Sequence, residues 1–237
     1  MKRKILIVGI IVFCILALDQ FIKIYTKTHF HPFESYNLIG EWFRAEYIEN
    51  QGMAFGTTLF GGSMWGKLSL SLFRVIAIFG IAYYWYTQAK KGMRMEFLIA
   101  VGMILAGATG NLIDSMAYDF AFTYDPCVSF NHLEGSGVFS DCGIFGEQET
   151  RHTGFLYGNV VDMFKFHAYW PEWMPWLGGN EVFPAIWNIA DASISSGVIL
   201  VFLRHRKYFD KKDEAGTDEN QVADDDTQNL NDTPPST

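Results

Sequence analysis

The run FPAIWNIADASISSGVILVFL, residues 183–203, decides the fold class. Its 21 residues are almost all apolar or small, and about 20 such residues are what an α-helix needs to cross a bilayer core. Two positions break the pattern, Asn188 and Asp191, which stand at the i, i+3 spacing of one helix face. An ionised carboxylate inside such a span costs about 2.5–3.5 kcal/mol on insertion scales, so Asp191 reads as a functional residue that needs partners elsewhere in the chain.

Working outward, three further apolar runs are long enough to span: Ile5 to Tyr25, Leu68 to Thr87 and Phe97 to Asp114. Lys2, Arg3 and Lys4 precede the first, Lys90, Lys91 and Arg94 lie between the second and third, and Arg204, Arg206 and Lys207 follow the fourth. The positive-inside rule puts all three clusters, and so both termini, in the cytoplasm. Residues 26–67 and 115–182 are then outer loops. The expected fold is an all-α membrane protein of four transmembrane helices, with a small periplasmic β-containing loop region and an interfacial segment. MKRK followed by an apolar run has the form of a signal peptide, but no small-x-small cleavage site follows, so the helix is expected to be retained.

The four-helix membrane unit is residues 1–207, and residues 208–237 read as a disordered acidic cytoplasmic tail with no aromatic residue after Phe209. Much of the acid behind the net charge of −8 lies in that tail, and a basic nucleic-acid footprint is absent. No nucleophilic Ser or Cys with a partnered His, no phosphate-binding Gly loop and no internal repeat is visible.

Polar residues recur near the outer ends of the spans. Asp19 and Lys23, four apart in the first, can pair on one helix face, either as an ion pair that fixes depth or as part of a site. Arg74 in the second can snorkel outward or meet a carboxylate. In the third, Asn111 and Asp114 repeat the spacing of Asn188 and Asp191 among small residues that let helices approach closely. Two such pairs and a further Asp favour a site over a simple interhelical clamp.

In the first outer loop, alternation from Trp42 to Ile48 predicts a short strand or an amphipathic segment, and Asn50-Gln51-Gly52 is turn chemistry. In the second, Val160-Val161 and Met163-Phe164 flank Asp162 in an apolar segment, expected to lie in the interface and carry its carboxylate toward Asp191. Cys127 and Cys142 face an oxidising space and are expected to form a disulfide, with Cys14 free in the first span. The histidines show no ligand spacing, and His29, His31 and Glu34 read as a wet loop rather than a metal site.

Together these stretches resemble the lipoprotein signal peptidases, also called signal peptidase II. The likeness is carried by Asp19-Gln20 with Lys23, Asn50-Gln51-Gly52 with Ala54-Phe55, GATGNLID at 107–114, GNVVDM at 158–163 and FPAIWNIAD at 183–191, and extends to about Lys207. The resemblance implies an aspartyl endopeptidase of the bacterial cytoplasmic (inner) membrane. Such an enzyme removes the signal peptide from diacylglyceryl-modified prolipoproteins, cutting before the lipidated cysteine of the lipobox without metal or other cofactor. It implies Asp162 and Asp191 as catalytic pair, Asn50, Gly52, Asn111, Asp114 and Asn188 as substrate-binding positions, and Asp19 and Lys23 as support. Implied partners are the prolipoproteins, membrane phospholipid and globomycin-like inhibitors, with no nucleic acid. Two departures stand out: Ser115 occupies a position where the family usually has Arg, so that a contact to the peptide backbone is either lost or taken over by another residue such as Arg74 or Arg151, and the stretch between Asp114 and Asp162 is long. The competing class is a small proton- or cation-coupled carrier using intramembrane Asp residues, for which four spans without an inverted repeat are few.

Overall fold

The computed structural model describes residues 1–51, 64–204 and 208. Gly52, Ala54 and Phe55 lie outside the described residues, as do all tail residues except Tyr208. The elements follow in chain order as α1 (Lys2–His29), β1 (Ser35–Ile39), β2 (Phe43–Asn50), α2 (Met64–Lys90), α3 (Met95–Ala121), β3 (Phe139–Asp141), β4 (Glu147–Glu149), β5 (Val160–Phe166), β6 (Ile186–Trp187) and α4 (Ile189–Leu203).

Helices α1, α2 and α3 are long and apolar enough to cross a membrane. Each outruns the apolar stretch that marks it, because a helix can continue into water once its backbone bonds are propagating. The extension of α3 matters most: residues 115–121, expected to open the second outer loop, are helical and carry Tyr118 and Asp119 toward the site region. Helix α3 is the hub, packing against α1, α2 and α4. Its contact with α4 depends on small residues, since a Cβ on Gly107 would collide with the Ala190 carbonyl oxygen and one on Gly197 would meet the Ala100 carbonyl oxygen at 2.6 Å. In lipid, where apolar side chains gain nothing by meeting each other, such backbone approach drives helix association.

The fourth run is not one continuous helix. Only Ile189–Leu203, 15 residues, is helical, so it rises about 22 Å at 1.5 Å per residue. Pro184 interrupts the run's start with a residue that lacks an N–H, and residues 186–187 pair as β6 with β5. Asn188 then ends the extended backbone as the helix N-cap, its side chain accepting from the Asp191 N–H and its own N–H donating to the Asp191 carboxylate. The i, i+3 pair is thus a reciprocal capping box rather than two residues on a helix face.

Strands β1, β2, β5 and β6 form one antiparallel sheet in that order. The segment around Asp162 is an inner strand of this sheet, β5, with Ile48 opposite Asp162 and Asn50 opposite Val160. Its apolar residues serve two faces: Val161 and Met163 join Tyr47 and Tyr118 in a small core. Between α3 and β5 lies a compact insert with the β3–β4 hairpin and a Cys127–Cys142 disulfide; Cys14 is free and exposed. At the far end of the bundle, Lys4 Nζ donates to the carbonyls of Gly92 (3.2 Å) and Met93 (2.8 Å). The first two basic clusters therefore share one end, opposite the sheet.

Candidate active site

Strand β5 and the N-terminus of α4 bring Asp162 and Asp191 to the wall of one cavity of about 1100 Å³. The two are joined by amides. Asn188 Nδ2 donates to Asp162 Oδ1 at 2.6 Å and to Asn111 Oδ1 at 3.2 Å, while Asn111 Nδ2 donates to Asp191 Oδ1 at 2.8 Å. Asn50, at the end of β2, also hydrogen-bonds Asp162. An amide donates and accepts without adding charge, so the carboxylates are oriented but not neutralised by it.

The electrostatic consequence falls on Asp162, which is 2% exposed. Burial, and then the nearby charge of Asp191, push its carboxyl up to about 8, against the opposing pull of the Lys23 charge and the hydrogen bonds from Asn50 and Asn188. Desolvation and a like charge both favour the neutral acid. Asp191 occupies the first turn of α4, the end of a helix best suited to a carboxylate. Arg74 lines the same cavity and feels the charges of Asp191, Asp114 and Asp162.

Behind this wall sits a second, closed cluster. Lys23 Nζ contacts Asp19 Oδ2 at 3.0 Å, Asp114 Oδ2 at 2.8 Å and Asn111 Oδ1 at 2.8 Å, which uses all three of its N–H groups. Both carboxylates then reach the site elements: Asp19 Oδ1 accepts from the Ala190 N–H at 2.9 Å, and Asp114 Oδ2 from the Val161 N–H at 3.3 Å. Gln20 adds a bond to Asp114 Oδ1 at 3.0 Å and accepts from the Tyr118 hydroxyl. The lysine bond to Asn111 Oδ1 also fixes which face of that amide points at Asp191.

Of the sequence-predicted positions, Asp162, Asp191, Asn50 and Asn111 line the cavity. Asp114 and Asn188 are fully buried behind it, with Asp19 and Lys23. Gly52 lies outside the described residues. Ser115 is buried and does not line the cavity; neither does Arg151, which pairs with Asp119 through Nη2–Oδ1 (2.8 Å) and Nη1–Oδ2 (3.0 Å). Of the two arginines suggested as replacements, Arg74 is therefore the one at the cavity.

Sequence reading missed the outer wall, Ser129, Phe130 and His132 to Glu134 of the insert. It is fixed by Gln51 Nε2 donating to the His132 carbonyl at 3.2 Å, and by Asn131, which accepts from Arg151 Nε at 2.8 Å. No local motif marks it. The aromatic wall of Phe166, Phe183 and Trp187 had a signal, since Asp162, Phe164 and Phe166 alternate onto one face of a strand. Among the described residues no cluster of His, Cys, Asp and Glu is arranged to hold a metal ion.

Fold and site define a helical membrane protein with two amide-linked carboxylates at the wall of one cavity, where a small sheet meets the bundle. Residues 11–206 match the family model for signal peptidase (SPase) II, and the chain belongs to that family. The lipoprotein signal peptidase of Porphyromonas gingivalis is 36% identical over 204 residues, covering 83% of this chain and 81% of that protein. That of Amoebophilus asiaticus is 30% identical over 198 residues, 80% of this chain and 73% of that protein. The fold is similar to that of a bacterial membrane enzyme solved in meso at 2.3 Å, with a TM-score of 0.55 at 20% identity, covering 90% of this chain and 94% of that one. The chain is thus a multi-pass membrane peptidase of the signal peptidase II type.

Proposed function

We propose that the chain is an aspartyl endopeptidase that cuts diacylglyceryl-modified prolipoproteins before the lipidated cysteine, with Asp162 and Asp191 as the catalytic pair. The observation that carries this reading is the amide-linked pair at one cavity wall, with Asp162 held neutral near physiological pH. Asp191 takes a proton from water as the water oxygen attacks the scissile carbonyl. Asp162 donates its proton to the carbonyl oxygen, giving a neutral tetrahedral intermediate. Collapse re-forms the carbonyl, breaks the C–N bond and returns a proton to the leaving amine.

Asn50 and Asn111 line the cavity and are placed to hold the peptide extended; Gly52, adjoining Asn50 in sequence, belongs to the same group. Asp114, Asn188, Asp19 and Lys23 act through these residues as positioning groups. Helix α4 is the fourth crossing, both termini are cytoplasmic, and the site lies near the outer face of the bacterial inner membrane. Phospholipid surrounds the helices, and a globomycin-like peptide competes for the same cavity.

The test is cleavage of a diacylated lipobox peptide by the purified protein in detergent, with mass spectrometry of the products. The expected result is a single cut before the modified cysteine, blocked by globomycin and unaffected by chelators. An inert, well-folded protein, or a cut elsewhere, overturns the reading.

A further inference from the structure

The connection from β5 to β6 takes no part in the polar network of the site. Its middle, Tyr169 to Val182, carries YWPEWMPWL, residues 169–177. Trp173 is 78% exposed and Trp176 97% exposed, the latter with a φ of 61°. A water-facing loop has no reason to present indoles in this way, and contiguous exposed apolar surface marks an interaction site.

The backbone of this loop is closed on itself. Val182 N donates to Ala168 O at 2.8 Å, Trp170 N to Asn180 O at 2.9 Å, and Gly179 N to Trp170 O at 3.0 Å. At the tip, Met174 N donates to Pro171 O at 3.0 Å and Gly178 N to Met174 O at 2.9 Å. Polar backbone satisfied internally is what a segment needs in order to leave bulk water for lipid. Trp and Tyr are the side chains enriched at that boundary.

What covers the loop follows from its neighbours. At its base His167 N donates to Trp42 O at 2.7 Å, joining it to the β1–β2 turn, where Leu38, Ile39 and Trp42 are also exposed. On its other side the chain passes through half-exposed Phe183 into β6 and α4, whose Val198, Ile199 and Phe202 are exposed as lipid-facing residues should be. The apolar rim is therefore continuous with the surface of a membrane helix. Glu172 is the one acidic residue of the tip between Pro171 and Gly179, and that stretch has no basic residue, so charge complementarity to a soluble partner is missing.

We propose that Tyr169–Val182 is a membrane-surface anchor that seats Trp173 and Trp176 in the headgroup region of the leaflet nearest the sheet. Because the loop leaves directly from β5, it holds Asp162 at a fixed height above the bilayer core. The height-setting role rests on the peptidase reading above; the lipid contact does not.

The test uses the full chain in vesicles of phosphatidylcholine and phosphatidylglycerol. In a Cys14→Ser background, an environment-sensitive fluorophore is placed at Trp176→Cys and, as a control, at exposed Thr153→Cys. The label at 176 is expected to be quenched by brominated lipid and shielded from iodide, with the reverse pattern at 153. Iodide quenching at 176 equal to that at 153, the result expected if the loop awaited a soluble partner, overturns the anchor. Separately, the variant Trp173→Ser with Trp176→Ser should cleave lipobox peptide about threefold to tenfold more slowly than the parent in vesicles, yet equally in detergent. Equal rates in vesicles overturn the height-setting role, whereas absence of cleavage by the parent overturns the peptidase reading instead.

Discussion

Two clusters of carboxylates lie side by side at one end of this bundle. Asp19 and Asp114 are sealed with a lysine whose donors are all used, and each passes a hydrogen bond on to the backbone of a site element. Asp162 and Asp191 are held by neutral amides and face a cavity. The chemical groups are the same; partner and access differ. A buried carboxylate with a cation at hydrogen-bonding distance has its charge compensated within the fold, whereas burial and a neighbouring carboxylate favour the neutral acid at one held only by amides. The first cluster builds the wall that carries the second.

The sharpest way to break this division is to neutralise each cluster and compare activity with folding. Asp162→Asn or Asp191→Asn should lower turnover about 10²–10⁴-fold without loss of the folded state in thermal unfolding. The double variant should be scarcely worse than either single one, because groups acting as a unit are non-additive. Near wild-type cleavage by either folded single variant would falsify the pairing.

Lys23→Met should show the opposite pattern. Removing the cation leaves two buried carboxylates uncompensated, a change that costs about 3–5 kcal/mol in buried ion pairs. Denaturation in detergent should reveal the loss, with residual activity tracking the folded fraction. Asp114→Asn keeps the Asp19–Lys23 pair and should be milder, weakening KM more than kcat. A stable Lys23→Met variant with a selective loss of kcat would move Lys23 into the chemistry.

The pH profile sharpens the comparison further. Asp162 is raised from 3.8 to about 8, so its proton is present below that pH and lost above it. Activity should therefore fall about tenfold per pH unit above a limb near pH 8. For stability the sign is the same: a carboxyl raised in the folded state stabilises the fold below its unfolded value, and that contribution is lost as pH rises through about 8. In Asp162→Asn both dependences should flatten, measured by rate and by melting temperature from pH 6 to 9.

The smallest expected effect is that of Cys127→Ser with Cys142→Ser. The bridge lies in the insert, away from the carboxylates, and a loop of 15 residues contributes about 3 kcal/mol at most in the chain-entropy account. The variant should lose local stability, seen as faster proteolysis of the insert, while cleaving within a few-fold of the parent rate. Complete loss of cleavage would show that the outer wall belongs to the machinery.

Much of this was legible in the chain because the bilayer makes sequence unusually explicit. Apolar length marked the helices, basic flanks gave the common end, and the cost of a carboxylate in an apolar run drew attention to Asp19, Asp114 and Asp191. The strand expected within Trp42–Ile48, found as Phe43–Asn50, and the disulfide were likewise signalled by alternation and compartment. Asp162 was named, but its strand was not: VVDMF is apolar on both sides of the Asp, and such a short run does not by itself fix its secondary structure.

The partition among the carboxylates was decided by tertiary structure alone. Asp19, Asp114, Asp162 and Asp191 are one residue type in four apolar contexts, and only packing sets which one meets Lys23 and which one meets an amide. The same holds for the fourth run, whose length promised a single helix, while pairing of Ile186 and Trp187 with β5 turned Asn188 into a cap. Hydrophobic length is a local property that a chain carries with it, but a hydrogen-bond partner is fixed only when elements far apart in sequence come together.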